Sequence, residues 1–243
     1  MAAEVNVMYI EPQCKPSIQS RFSTLRYMKI VKKFNPIQKS FILKHGLYNL
    51  LNLPDHLMVP MNLLQWLAGH TSHGEAKFLQ HKEKIIHFTK DMVDKVFGFA
   101  SGVKPFVMES SDPVIIREVE VLIDQYLLGK KQISVSNVES VLLGSNEEVV
   151  FIRSFLLLFI TTVLCPSTYN FVNPKYLYSL RDSDNVEVGN LDLGTLCLNH
   201  LWNELDAWKA KVFKDGSDST GCFGLVVAYL CWQYVFHFLY FPL

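Results

Sequence analysis

The C-terminal half of the chain carries a histidine, a carboxylate and a thiol in an order that a cysteine protease could use: His200, Asp206 and Cys222. In such a site the histidine takes the thiol proton and the carboxylate orients the histidine. However, His200 and Asp206 lie six residues apart in one predicted helix, a separation that does not place them on a shared face. Cys222 begins an apolar run without a side chain nearby that could stabilise an oxyanion. The pattern therefore favours structural roles, and we predict no catalytic residue.

A second possible chemistry is metal binding, because four histidines lie close together at His70, His73, His81 and His87. Zinc sites use four ligands in tightly spaced pairs, and no cysteine lies near these histidines. The chain has 5 cysteines, scattered and without a C-x-x-C pair. This predicts neither a zinc site nor a disulfide framework, and indicates buried thiols in a reducing compartment. The glycines fall singly at predicted helix ends, so no phosphate loop is expected and no cofactor is predicted.

Charge is balanced overall but unevenly distributed. The 243 residues include 23 basic and 23 acidic ones, yet no acid occurs between Glu11 and Asp55, while the segment from Glu109 to Glu148 is mainly acidic. A basic stretch of this kind can face the phosphates of a nucleic acid. The candidate residues lie on the first predicted helix and are Arg26, Lys29, Lys32 and Lys33. The alternative is that the two segments face each other or form solvated helix faces, and the absence of a recognisable binding motif favours it.

The elements that position these residues are organised around the segment 146–165, which is apolar on nearly every side and ends at Pro166. A helix of this kind belongs in the middle of a bundle. Arg153 is its exception, and a buried guanidinium must find a carboxylate or several carbonyl oxygens. We expect Arg153 to be a structural buried charge; a functional anion site is the other interpretation.

Local signals divide the rest of the chain into helices. Asn35-Pro36 and Asp112-Pro113 combine a cap with proline at the first helical position. Thr89 is expected to cap a helix that ends at Gly98, and Ser136-x-x-Glu139 reads as a capping box. The segment 84–88 is a possible short extended segment. The apolar content of 49% is ample for the core of one large domain or of two small, fused ones.

The last 22 residues, from Cys222 to Leu243, are apolar except for Gln233 and His237. About 20 apolar residues can span a bilayer. The preceding segment has no excess of basic residues, so a buried helix at about 220–240 is favoured over a tail anchor. The sequence thus predicts an all-α fold, an irregular multi-helix bundle around the 146–165 and 220–240 helices. We expect residues 1–20 to be loosely structured and residues 21–243 to form a single helical domain.

Several stretches resemble one protein family. They are Phe88-Thr89-Lys90-Asp91-Met92-Val93, then Phe151 to Leu158 with Leu164-Cys165-Pro166-Ser167, and Asn173-Pro174-Lys175-Tyr176-Leu177. Together they are similar to the non-catalytic N-terminal region of plant ubiquitin-like-specific (SUMO) protease family proteins. Many of these proteins are transposon-borne, and the region is similar to the plant mobile domain called aminotransferase-like. The resemblance covers most of residues 20–240.

In that family, protease chemistry belongs to a separate C-terminal domain, in which a glutamine shortly precedes the catalytic cysteine. Cys222 instead follows Thr220-Gly221, so the resemblance assigns no catalytic residue here. It implies a non-enzymatic helical module derived from a plant mobile element, located in the nucleus and binding a nucleic acid or a nuclear protein. The alternatives are a protease-family fragment that lacks its catalytic domain, and a tail-anchored membrane protein. No small-molecule substrate is expected.

Overall fold

The structure, a computed structural model, describes residues 24–55, 61–71, 78–98, 102–166, 169–181 and 190–215. Its α-helices are α1 (Thr24–Val31), α2 (Pro36–Lys44), α3 (Met61–His70), α4 (Lys90–Phe97), α5 (Pro113–Leu127), α6 (Val135–Gly144), α7 (Glu148–Phe159), α8 (Leu177–Leu180) and α9 (Leu193–Asp215). Short 3₁₀ turns occupy Tyr48–Asn52 and Pro174–Tyr176. The largely helical fold predicted from the sequence is confirmed.

Helix α7 lies at the centre of the described core. Every residue of the range 151–159 is buried, and α7 packs against α6 and α2. Its last turn widens into a π-helix, Ile160–Leu164, in which the Cys165 amide donates to the Ile160 carbonyl at 2.7 Å. The wider turn ends just before Pro166, whose ring prevents a further helical turn. The predicted 146–165 helix is therefore present, with an α-helical part and a π-helical end.

A two-stranded antiparallel sheet corrects the expectation of an all-α fold. Strand β1 (Phe78–His81) pairs with β2 (Lys84–His87), and Lys82 in the turn between them has φ 54°. Side chains on β2 alternate as a half-buried strand requires, because Ile86 packs on the core while Ile85 is exposed. Ile86 lies opposite the buried Leu79 of β1. The extended segment expected at 84–88 is thus confirmed for 84–87, but its partner strand was missed.

The capping box predicted at Ser136 and Glu139 is wrong. Helix α6 begins earlier, and Ser134 is its cap, accepting a hydrogen bond from the Asn137 amide at 3.2 Å. The Asn137 side chain then donates to the carbonyls of Tyr126 and Leu127 at 2.8 and 2.9 Å. This bridge from α6 to the end of α5 fixes the helix cap two residues before Ser136.

The predicted loose segment 1–20 and the predicted apolar helix at 220–240 lie outside the described residues. Among the residues that are described, the buried side chains form one hydrophobic cluster. None of the helices in this part of the chain has the length and apolar character needed to cross a membrane.

Candidate nucleic-acid interface

Aromatic packing fixes the orientation of α1. The ring of Tyr27 lies 6.0 Å from that of Phe155 and 5.6 Å from that of Phe159, and its hydroxyl donates to the Leu50 carbonyl at 3.1 Å. After the helix ends, Phe34 packs edge-on against Phe151 with ring centroids 5.1 Å apart. One face of α1 is therefore held against α7, and the opposite face is turned to solvent.

The outward face of α1 and the turn that follows carry three exposed lysines, Lys29, Lys32 and Lys33. Their spacing of three and four residues places them on one side of the helix. Lys32 pairs with Asp55, and both side chains of this pair are exposed, so solvent screens it strongly. Within the described part of the chain, Lys29 and Lys33 form no ion pair, so their charges are available to a ligand.

Arg26 differs from these lysines because its guanidinium is used inside the fold. Its Nε donates to Glu139 Oε1 at 2.6 Å, its Nη1 donates to Asn170 Oδ1 at 2.6 Å, and Nη2 reaches Ser136 Oγ at 3.3 Å. These bonds tie α1 to the first turns of α6. The structure therefore gives Arg26 a positioning role rather than a charge directed at a ligand.

Lys39, which was not among the four candidates, lies on α2 and is also exposed. The capping box of Asn35 and Gln38 fixes the start of α2, with Gln38 and Ile42 buried and Lys39 exposed between them. Lys39 forms no ion pair among the described residues. Its place in the acid-free basic stretch before Asp55 was the signal in the sequence that identifies it.

The basic N-terminal segment and the acidic segment from Glu109 to Glu148 do face each other at two points. The first is the Arg26–Glu139 pair, and the second is Glu148, whose Oε1 lies 2.8 Å from Lys44 Nζ and 2.9 Å from His45 Nε2. The Lys44 hydrogen bond, assisted by His45, lowers the pKa of Glu148 below its usual value. Part of the basic stretch is thus neutralised internally, and Lys29, Lys33 and Lys39 remain.

Arg153, the predicted buried charge, is 6% exposed. Its Nε donates to the Leu180 carbonyl at 3.0 Å and its Nη2 donates to the Arg181 carbonyl at 2.9 Å. These carbonyls lie at the C-terminal end of α8, where the helix dipole is negative. Arg153 therefore joins the central helix to α8, and its known contacts are those of a structural cation.

Of the residues considered for protease chemistry, the structure describes His200 and Asp206, and Cys222 lies outside the described residues. His200 Nε2 lies 3.0 Å from the Pro166 carbonyl, and burial lowers the pKa of His200 despite the opposing charge of Glu204. The charge of Asp206 acts on Lys209. The described thiols, Cys165 and Cys197, are buried, and burial raises the pKa of both above the usual range. They are therefore protonated at neutral pH and poor nucleophiles.

Two of the histidines considered for metal binding, His70 and His87, are described with their side chains and have ordinary contacts. His70 stacks on Trp66 with ring centroids 4.3 Å apart, and its Nδ1 lies 2.7 Å from the Trp66 carbonyl. His87 is exposed on β2 and lies across the sheet from Phe78. His73 and the side chain of His81 lie outside the description. Across the described side chains, no group of three or more metal-ligating residues comes together.

The model of a family described as Domain of unknown function (DUF8566) matches residues 20–227. No curated protein and no solved structure matches the chain.

Proposed function

Because the chain belongs to the DUF8566 family, whose description assigns no function, we propose from its surface that it is a non-enzymatic helical module that binds nucleic acid. The observation that supports this proposal is a set of exposed lysines that form no ion pair with other described residues: Lys29, Lys33 and Lys39, on α1, the following turn and α2. Lysines of this kind bind phosphate oxygens and release counterions from the nucleic acid. Such contacts carry no base specificity, so the expected ligand is the sugar-phosphate backbone.

The rigid base of this surface also supports the proposal. Tyr27 and Phe34 lock α1 and the turn after it onto α7, and the capping box at Asn35 fixes the direction of α2. The backbones that carry Lys29, Lys33 and Lys39 therefore hold a constant arrangement, and binding requires only the ordering of the side chains. Lys32 can contribute as well, since its exposed pair with Asp55 is readily exchanged for a phosphate.

The test is binding of the full chain to random duplex DNA at low salt, followed by fluorescence anisotropy. We expect Lys29→Ala, Lys33→Ala and Lys39→Ala, combined in one variant, to weaken binding at least about tenfold. The matched control removes three exposed lysines from other surfaces, through Lys95→Ala, Lys104→Ala and Lys131→Ala. The control changes net charge equally, so an equal loss in both variants would contradict a localised interface.

A protein partner is the second candidate function. Two large apolar side chains on α2 are exposed beside the lysines, Ile37 at 56% and Leu43 at 52%. Exposed apolar groups next to basic ones suit an acidic, amphipathic protein segment better than a phosphate backbone. Ile37→Ser with Leu43→Ser separates the two functions, because it should leave DNA binding unchanged and abolish binding of such a segment.

The setting of this function follows from the resemblance to the non-catalytic region of plant SUMO protease family proteins. We propose a nuclear location and an origin in a plant mobile element. The test is a fluorescent fusion of the full chain expressed in plant cells. Nuclear fluorescence is expected, and fluorescence confined to membranes would favour the tail-anchored alternative.

A further inference from the structure

Helix α5 carries an apolar stripe along its solvent side. Val114, Val121 and Leu128, 64%, 55% and 55% exposed, recur at intervals of seven residues. The opposite side of the helix holds the buried residues Val119 and Tyr126. A seven-residue interval returns a helical side chain to nearly the same direction, so Val114 and Val121 lie on the middle of the outer face. The stripe thus runs along the helix, as the contact residues of two paired helices do.

Leu128 occupies an unusual backbone conformation for its type. It caps α5 with φ 48° and ψ 43°, in the left-handed region. A residue with a β-carbon is disfavoured there, and the next residue, Gly129, also has positive φ. Because the Leu128 side chain is half exposed, packing inside the chain does not explain this choice. An exposed leucine in a strained position is better explained by a contact outside the fold.

Charged side chains flank the stripe, and their arrangement is complementary to that on a second copy of the same helix. Arg117 and Asp124 lie along one edge of it, and Glu118 and Gln125 lie along the other. If a second α5 lies antiparallel, with Val121 against Val121, Arg117 of each copy meets Asp124 of the other. Glu118 then lies near Gln125. A parallel pairing would instead bring Arg117 beside Glu118, whose carboxylate already pairs with Arg181 at 3.4 Å in its own chain, and would leave Asp124 beside Gln125 without a cation. The antiparallel arrangement is therefore favoured.

The ends of the helix match in the same arrangement. Val114 of one copy meets Leu128 of the other, which completes the apolar seam. Asp112 precedes the start of α5, and the exposed Lys131 follows its end. The negative charge at the start of the helix and the positive charge beyond its end also agree with the dipoles of two antiparallel helices.

We propose that the outer face of α5 binds a second copy of this chain, antiparallel about Val121, to form a two-fold symmetric homodimer. An interface of this kind uses the same surface patch on both copies. Helix α5 has 15 residues and is about 22 Å long, so the buried area is small. The affinity is therefore expected to be micromolar or weaker.

The first measurement is sedimentation velocity of the full chain over a wide concentration range. The wild-type chain should move from monomer to dimer as its concentration rises. Val121→Lys should stay monomeric, because the two introduced charges meet at the two-fold axis. The control, Val103→Lys, changes a side chain that is 77% exposed elsewhere and should dimerise as the wild type does. Circular dichroism confirms that each variant is folded.

The second measurement is a charge exchange that identifies the antiparallel pairing. Arg117→Asp and Asp124→Arg should each weaken association about tenfold, through lost attraction and new repulsion at two symmetric places. The double variant should recover wild-type association. These residues are about 10 Å apart along one helix, so recovery cannot arise within a single copy. A wild-type chain that stays monomeric throughout, or a dimer that Val121→Lys leaves intact, would overturn the proposal.

Discussion

Arg153 is the clearest case at the scale of single residues. The sequence predicts that a guanidinium in an apolar helix needs a carboxylate or several carbonyls, and the structure provides the carbonyls of Leu180 and Arg181. The kind of partner follows from the desolvation cost of the charge. The identity of the partner does not, because it lies 27 residues away in the chain and depends on how α8 packs.

Arg153→Met should therefore destabilise the fold by about 2–4 kcal/mol, since it leaves two carbonyls at the end of α8 without their charged donor. Urea unfolding followed by circular dichroism measures this change. Lys95→Met, at an exposed position on α4, is the control and should cost less than about 0.5 kcal/mol. A loss for Arg153→Met as small as that of the control would show that the carbonyls find other partners.

Lys209 makes a second residue-scale prediction, which concerns pH. Its ammonium is buried and donates to the Thr71 carbonyl, and burial lowers the pKa of Lys209 to about 8, although Asp206 opposes this. An unfolded lysine has a pKa of about 10.4. Between these values the folded chain binds fewer protons than the unfolded chain, so this group makes the free energy of unfolding rise with pH.

Lys209→Met removes that contribution. The stability of the wild type relative to this variant should increase from pH 7.5 to pH 10, as measured by urea unfolding at each pH. Other titrating groups are common to both proteins and cancel in the difference. A difference that stays constant across this range would mean that Lys209 titrates normally in the folded chain.

At the scale of elements, local chemistry predicts helix ends better than strand pairing. Asn35 and Thr89 cap α2 and α4, as their sequence signals indicate. Ser136 is not the cap of α6 because the hydrogen bond from Asn137 to the end of α5 favours a helix that begins after Ser134. Strand β1 was missed because its residue pattern alone does not indicate a strand, and the segment is recognised only by its pairing with β2.

The helix-ending glycines offer a matched pair of substitutions. Gly46 and Gly98 have similar φ values of 70° and 67°, but an added β-carbon at Gly46 meets open space, whereas at Gly98 it would lie 2.2 Å from Asn49 Nδ2. Gly46→Ala should lower the free energy of unfolding by about 1 kcal/mol, because of its backbone conformation alone. Gly98→Ala should cost more, because Asn49 must also move and loses its 3.0 Å bond to the Gly98 carbonyl.

Thermal and urea unfolding of both variants test this difference. Combining Gly98→Ala with Asn49→Ala should lower the free energy of unfolding no further than Gly98→Ala does alone. The Asn49→Ala change removes both the clash with the added β-carbon and the hydrogen bond that Gly98→Ala has already broken. Equal costs for Gly46→Ala and Gly98→Ala would contradict a role for the Asn49 contact.

At the scale of the whole molecule, the net charge of zero says nothing about where the basic and acidic residues lie in the fold. The sequence shows two oppositely charged segments, and both a nucleic-acid surface and an internal charge pairing were compatible with them. The fold divides the basic segment between these outcomes: Arg26 and Lys44 pair with Glu139 and Glu148, while Lys29 and Lys33 face solvent. Which basic residues belong to each group depends on long-range packing and was not predictable from spacing.

The most direct test of the proposed function is the salt dependence of duplex DNA binding by the full chain. Three lysines on phosphates predict that the logarithm of the association constant falls with the logarithm of salt concentration with a slope of about −3. We expect the Lys29, Lys33 and Lys39 alanine variant to lose most of this slope and the Lys95, Lys104 and Lys131 variant to keep it. Absence of binding at low salt, or the same slope in both variants, would contradict a nucleic-acid interface on α1 and α2.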